Sequence, residues 1–515
     1  MPHSGLSQPE LRALALCALL VLGLTALRFW FAATIELRMD EAYYWAWSKE
    51  NVLSYLDHPP LIAWGVRLGT AVFGDTQFGV RFSGLLGMAA MQGLLADIVW
   101  RATRDVRSVI VVVLMPEASV YYGISMAKVA PDTALIPFLI LMVWALLRVA
   151  QSGNGRWWIL AGFAGGMSLL AKYTALLLAP PLLLFSLLFP TQRRWLLTPW
   201  PWAALLVAAV IFSPVMVWNA QHDWASFRFQ FGRLVDVRPW GPHFLGDFVG
   251  IQFALVGPVL LPVVMTGTLF STARAWRRHD AVVFLIAACV LFPLGYFLWR
   301  SLTMRIFENW PLFIWPFAFA ATAINLSWTR EIFPKRSLDR RAYAGAITAI
   351  VSGILIVVAV SGGYVSGAPP LAGKRDPVGQ QAAFAAVADQ VSDYVRVTGA
   401  TWVAASEYGT WAKLNWYLRG KVPVIQINQR ARFLGWRSPD LTKIEGKLGL
   451  FVAIETQDNS ALFAATTARL QTLASIPATW RGTTFGEKYT VQKIEGWTPQ
   501  LNPPSGSPLY VAPNW

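Results

Sequence analysis

The sequence predicts a polytopic α-helical membrane protein of about eleven spans, followed by a small extracytoplasmic α/β domain. Apolar side chains make up 55% of the 515 residues and charged ones only 14%, with a mean hydropathy of +0.46. A soluble globular domain carries about 25% charged residues. The apolar residues also gather in runs of span length, and basic residues cluster in the short segments between them. The net charge of +15 therefore reads as orientation signals, not as a nucleic-acid surface.

In chain order the runs fall at 11–33, 78–100, 108–124, 131–149, 157–171, 173–189, 200–218, 248–271, 281–299, 309–327 and 343–361. The first has about 20 apolar residues, which suits an uncleaved anchor better than the short apolar core of a signal peptide. The close runs at 157–171 and 173–189 fit two spans, one broken helix or a re-entrant pair. With the N-terminus inside, Arg101, Arg104, Arg107, Arg148, Arg156, Arg193, Arg194, Arg274, Arg277, Arg278, Arg330, Lys335, Arg336, Arg340 and Arg341 all fall on one side. Fifteen basic residues in short loops on one face obey the positive-inside rule, and eleven spans then leave the tail after Tyr364 outside. The stretch 61–74 is apolar but too short to span, and follows the Pro59-Pro60 turn as an interfacial helix.

At Gly362 the character changes to a Gly/Pro linker and then to polar amphipathic sequence. Residues 380–397 and 460–474 read as helices, 401–405 and 422–427 as strands, and the alternation suggests a small α/β domain. The expected division is thus 1–361, with 34–77 as its first outer loop, and 362–515. Cys17 and Cys289 lie in apolar runs and imply no disulfide framework. No repeat, dinucleotide fingerprint, P-loop or Cys-pair zinc motif is present.

Candidate chemistry lies in the outer segments. Asp40-Glu41 precedes Ala42-Tyr43-Tyr44-Trp45-Ala46-Trp47, and the loop closes with Asp57-His58-Pro59-Pro60. Neighbouring acids there suit a base or a metal site; as plain alternatives they cap the helix that follows. Asp132, after Pro131, is a second acid at the outer end of a span. Lys172, Arg228, Arg233, Arg238, Arg300 and Arg305 are cations on the outer face, where positive residues need a separate reason, and phosphate binding is one. His222 and His243 could join Glu41 around a divalent metal, although a solvated loop histidine is the commoner case. Trp45, Trp47, Trp218, Trp224 and Trp310 sit near span ends, where an aromatic belt is the simplest reading.

Asp40-Glu41, Asp57-His58-Pro59-Pro60, Ala171-Lys172-Tyr173, Pro214-Val215-Met216-Val217-Trp218-Asn219, Trp224-Ala225-Ser226-Phe227-Arg228-Phe229-Gln230 and Glu308-Asn309-Trp310-Pro311 occur in this order. Together they resemble the bacterial GT-C glycosyltransferases related to protein O-mannosyltransferases and to lipid A aminoarabinose transferases. The resemblance covers most of residues 10–330, and only the ordered set is specific. It implies an inverting transferase of the bacterial inner membrane whose donor is a sugar on a polyprenyl monophosphate. Residues 1–361 would then be the catalytic domain, and 362–515 a periplasmic domain. Asp40 matches the first acid of the family's Asp-Glu pair, and Asp132 an acid at the second outer position. His58 stands where the aminoarabinose transferases carry a lysine before proline. It joins Lys172, Arg228 and Arg305 as a candidate for the donor phosphate. The expected acceptor is a lipopolysaccharide component, another envelope glycan or a protein hydroxyl, with no nucleic-acid partner. The rival class, a flippase for lipid-linked sugar, predicts two symmetric halves and ionisable residues near span midplanes. The acids here cluster in outer loops instead.

Overall fold

The computed structural model describes residues 7–124, 127–235, 241–332, 337–366, 376–437, 442, 444–463 and 468–496. The chain divides into two compact units. One comprises Met1–Ala32, Arg81–Met216 and Leu234–Ser361; the other comprises Ala33–Val80, Val217–Arg233 and Gly362–Trp515. The first loop and the 217–233 segment thus group with the tail.

The first unit is helical. Among the described residues seven helices are long and apolar enough to cross a membrane: Gln8–Thr34, Gln77–Thr103, Pro131–Ser152, Pro199–Gln221, Ala281–Arg300, Leu312–Glu331 and Arg340–Tyr364. Two further pairs, Tyr173–Leu188 with Pro190–Leu197 and His243–Val256 with Leu260–Arg277, bend by 99° and 100°, which brings the number to nine if each pair is one crossing. All eleven apolar runs form helices, but two are too short. Val106–Glu117 has 12 residues and Arg156–Ala171 has 16. At 1.5 Å per residue these reach about 18 and 24 Å, short of the ~30 Å hydrocarbon core. The expectation that 108–124 and 157–171 are spans is therefore corrected: both are apolar helices, but length removes them from the candidate crossings.

Local chemistry sets the breaks. Gly257 ends the helix His243–Val256 at φ +126°, a conformation open to glycine, and so permits the sharp bend before Leu260. Asp280 caps Ala281–Arg300 by accepting from the backbone N–H groups of Val282 and Val283 at 3.2 and 3.0 Å. Gly162 lets two helices touch: a Cβ there would lie 2.2 Å from the Ala204 carbonyl oxygen.

The second unit is built on a five-stranded mixed sheet of order β2-β1-β3-β5-β4. Strands β1 (Trp402–Ala405), β2 (Val424–Gln426) and β3 (Gly449–Ile454) run parallel, and β4 (Arg469–Trp480) and β5 (Thr483–Glu495) complete it antiparallel. Every residue of β1 and β2, and all but the last of β3, is buried, as expected of strands covered on both faces. Trp402, Phe451, Ile425 and Ile494 centre the core. Helix Pro377–Thr398 begins at Asp376, whose carboxylate accepts from Val378 and Gly379. The expected helix over 460–474 is corrected: Ser460–Phe463 is one short turn, and from Arg469 onward the chain is β4. Arg481 and Gly482, both at positive φ, close a two-residue hairpin into β5.

Candidate active site

In the second unit the outer acids stand on helix Met39–Ser48 and the turn before helix Leu61–Phe73. The aromatic residues of the first helix are not a lipid-facing belt. Tyr43, Tyr44, Trp45 and Trp47 are buried, and so is Trp218; Trp224 is exposed. The rings pack against the tail instead, with Tyr43 5.1 Å from Tyr408 and Trp45 5.1 Å from Trp416, centroid to centroid. Each such pair adds about 0.5–1.5 kcal/mol beyond its burial, which fixes the helix carrying Asp40 against helix Tyr408–Tyr417.

The two acids of the Asp-Glu pair have different tasks. Glu41 is buried, and its carboxylate accepts from the Arg38 backbone N–H at 2.9 Å, so it caps its own helix. Asp40 has no ion pair among the described residues, and accepts only from the Tyr408 hydroxyl at 3.4 Å. Burial pushes its carboxyl above the usual range, with Asp57 adding to the effect; Arg38 and Arg432 oppose it.

Asp57 is 8% exposed and ion-paired with Arg432, itself 6% exposed. Its other carboxylate oxygen accepts from Tyr43 at 3.2 Å, and its backbone carbonyl from Gln230. The Arg432 guanidinium lies 4.1 Å from the Tyr408 ring centroid. Burial works against the charge of Arg432, but Asp57, Tyr43 and Tyr408 outweigh it and raise its pKa. Three separate segments thus meet here: the first loop, the 224–230 motif and the tail. A cluster of Leu56, Trp218, Ala225 and Phe229, flanked by Ala431 and Leu434, packs beneath. The corner between the two tryptophan motifs is held by Asn219, which accepts from the Trp224 and Phe227 backbone N–H groups at 2.8 and 3.3 Å.

Sequence reading missed Arg432. Its signal is Gln429-Arg430-Ala431-Arg432 just beyond the carboxyl end of β2, where loops of open α/β sheets commonly bind ligands.

In the first unit two other predicted residues converge, joined by Asn309 of a third motif. Asp132, wholly buried in the first turn of Pro131–Ser152, takes the Lys172 ammonium on both oxygens at 3.0 and 2.8 Å. Lys172 is 4% exposed, and Asn309 donates to the same carboxylate at 3.5 Å. Tyr121 anchors the neighbouring Glu308 carbonyl. The motifs around 132, 172 and 309 are one constellation.

The remaining candidates stand apart. Arg228 and Arg305 are exposed, Arg305 lying over Phe307 at 5.6 Å. His58 is half-buried, 6.5 Å from the Tyr44 ring. His222 stacks on Trp218 at 4.4 Å and hydrogen-bonds its carbonyl through Nδ1 at 2.7 Å, so Nδ1 carries the proton. His243 is exposed beside Phe244. Among the described residues no three His, Cys, Asp or Glu side chains gather as a metal site, so Glu41, His222 and His243 are not brought into such a set. Arg238 and the side chain of Arg233 lie outside the described residues.

Comparison with known proteins agrees with the motif reading. The family model of dolichyl-phosphate-mannose-protein mannosyltransferases matches residues 57–218. The chain is 30% identical over 257 residues to lipid A galacturonosyltransferase RgtD of Rhizobium johnstonii, covering 47% of this chain and 51% of that one. It is also 30% identical over 265 residues to the undecaprenyl phosphate-alpha-4-amino-4-deoxy-L-arabinose arabinosyl transferase of Pseudomonas paraeruginosa, covering 48% and 46%. The chain thus spans about half the length of the curated relatives it matches. ArnT from Cupriavidus metallidurans, solved with bound undecaprenyl phosphate, superposes with a TM-score of 0.64 at 14% identity, over 92% of this chain and 97% of that one. That likeness shows the fold shared with ArnT, in which many apolar helices accompany an α/β sheet.

Proposed function

We propose that this GT-C chain transfers a sugar from a polyprenyl-monophosphate donor to an envelope acceptor at the periplasmic face of the bacterial inner membrane. The observation that carries it is Asp40: a carboxylate with no ion pair among the described residues, raised in basicity by burial, beside Asp57, which is already paired with Arg432. The relatives named for lipid A and undecaprenyl-phosphate sugars support the substrate class.

Asp40 accepts the proton of an acceptor hydroxyl. The acceptor oxygen attacks the anomeric carbon from the face opposite the phosphate, and the bond between that carbon and the phosphate oxygen breaks. Polyprenyl phosphate leaves with the electron pair, and the anomeric configuration inverts. The departing phosphate is charged, so outer cations are needed. Arg228 and Arg305 are exposed and, among the described residues, in no ion pair with a carboxylate, His58 is a weaker donor when neutral, and Lys172 is engaged by Asp132. In this reading 1–361 carries the chemistry, and 362–515 lies outside together with the 34–77 loop. Nine crossings, with each bent pair taken as one span, keep the tail opposite the N-terminus.

Mass spectrometry of envelope lipids and glycans, with and without the gene, reveals sugar and acceptor together. The expected result is a lost sugar mass restored by the parent gene and not by Asp40→Asn. Restoration by Asp40→Asn overturns the role of Asp40, and an unchanged envelope overturns the reaction. For the tail, a cysteine at exposed Thr456 is expected to react with a membrane-impermeant thiol reagent in intact spheroplasts. Labelling only after lysis reverses the orientation.

A further inference from the structure

The tail contributes one buried cation to the acids of the first loop, and nothing in the reaction scheme above uses it. Arg432 sits in the turn Arg430–Phe433, just after β2, yet its guanidinium pairs with Asp57, 375 residues earlier. It pairs with Asp57 and covers the ring of Tyr408, whose hydroxyl donates to Asp40. Its own backbone carbonyl accepts from Tyr43 at 3.4 Å, and the same phenol donates to Asp57. One arginine thus fixes both the neighbouring acid and the phenol that touches Asp40.

We propose that Arg432 is a positioning residue for Asp40, holding Asp57 as a neutral pair and Tyr408 in hydrogen-bonding place. The proposal rests on Asp40 being the base, and gives the tail a direct part in the chemistry. A mere structural tie would need only buried bulk. An arginine so placed also sets the charge seen by Asp40. Without it, Asp57 becomes an uncompensated anion that resists ionisation of its neighbour. Without Asp57, Arg432 becomes an uncompensated cation that favours it. The two deletions therefore act in opposite directions.

Other charged and titratable groups around Asp40 are unaltered in either variant. Arg38 and Glu41 share its segment, with Glu41 occupied as the helix cap. On the packed helix Tyr408–Tyr417, Glu407 caps the first turn, and Lys413 lies over the Phe384 ring at 3.7 Å. Tyr417 donates to Glu36 at 2.7 Å. From helix Leu61–Phe73, Arg67 is bonded to the carbonyls of Ser48 and Glu50.

The test uses the full chain in lipid nanodiscs and a carbodiimide, which modifies carboxyls only when protonated. Labelling at Asp40 is followed across pH by peptide mass spectrometry, with Asp40→Asn as the blank. Arg432→Met is expected to move the labelling midpoint up by about one pH unit, a tenfold change in protonation. Asp57→Asn is expected to move it down, and the double variant to return near the parent. If Arg432→Met does not accumulate as folded protein, the downward shift in Asp57→Asn and the balance in the double variant carry the same decision. Midpoints unmoved in folded Asp57→Asn and Arg432→Met overturn the proposal. A shifted midpoint without a matching shift in the acid limb of sugar transfer instead counts against Asp40 as the base, and leaves Arg432 in its positioning role.

Discussion

Two buried acid–cation pairs divide the labour differently. In the helical unit, Asp132 and Lys172 neutralise one another completely, with Asn309 as an added donor. In the other unit, Asp57 and Arg432 neutralise one another beside a third group, Asp40, whose only side-chain partner among the described residues is a phenol. A closed pair holds elements together and has little left for a substrate. An acid left over next to a balanced pair keeps its charge available, and burial makes it a stronger base. The contrast is the reason we propose Asp40 as the base and, for Asp132, a positioning task.

The largest expected difference is in turnover. Asp40→Asn keeps shape and removes the base, so transfer should fall about 10²–10⁴-fold while the protein stays folded. Glu41→Gln should do less to the rate, because Glu41 is spent on its helix cap. Purified variants assayed with the donor identified from the envelope comparison decide the matter. Near-parent turnover of Asp40→Asn removes the asymmetry between the two pairs.

Stability should show the reverse order. Lys172→Met strands a carboxylate that is 0% exposed, and removal of one partner from a buried pair typically costs about 3–5 kcal/mol. Asp132→Asn in the same chain should recover much of that loss, because no lone charge remains. Denaturation in a fixed detergent measures both. A double variant as weak as Lys172→Met alone would show that Lys172 works through something other than Asp132.

Much of this was legible in the residues. The apolar runs became helices and the short 61–74 stretch became Leu61–Phe73, because bulk hydropathy and length are local properties. Asp132 and Lys172 were singled out separately, but their pairing joins positions 40 apart and leaves no periodic trace. Arg432 was invisible for the same reason, lying 375 residues from Asp57. The tryptophans misled: amphipathic rings near span ends suit an interface and a buried aromatic cluster equally well, and only the tail's Tyr408, Trp411 and Trp416 decide between them. The hairpin before β5 turns on Arg-Gly instead of the stronger Asn-Gly signal, which let 460–474 pass as a helix.

A smaller effect is expected at the phosphate. Arg228 projects to the exposed side of its helix while Ala225 and Phe229 face inward, so the protein fold does not depend on its side chain. A planar fork can hold two phosphate oxygens, and lysine cannot copy it. Arg228→Lys should weaken donor binding by roughly 1.5–3 kcal/mol at unchanged stability. Donor titration in one defined lipid measures this. If both Arg228→Lys and Arg228→Ala match the parent, the phosphate passes to Arg305, because Lys172 is already committed to Asp132.

The smallest effect is a pH-dependent stability difference at Asp40 itself. Its folded carboxyl is raised above the unfolded value, first by burial, so the folded state keeps a proton that the unfolded state has lost. Stability therefore falls as pH rises from about 3.9, the unfolded value, through the raised folded one, and stays reduced above it. Asn carries no such penalty. Asp40→Asn should match the parent at the acid end of this window and exceed it at neutral pH by roughly 0.5–2 kcal/mol, as a site residue costly to its fold does when replaced. Melting of the two proteins at several pH values in one detergent reads the gap directly. A gap that opens with rising pH marks Asp40 as the strained acid of the pair comparison. Parallel curves would mean that its ionisation is not penalised, and the physical basis for choosing it over Asp132 would be lost.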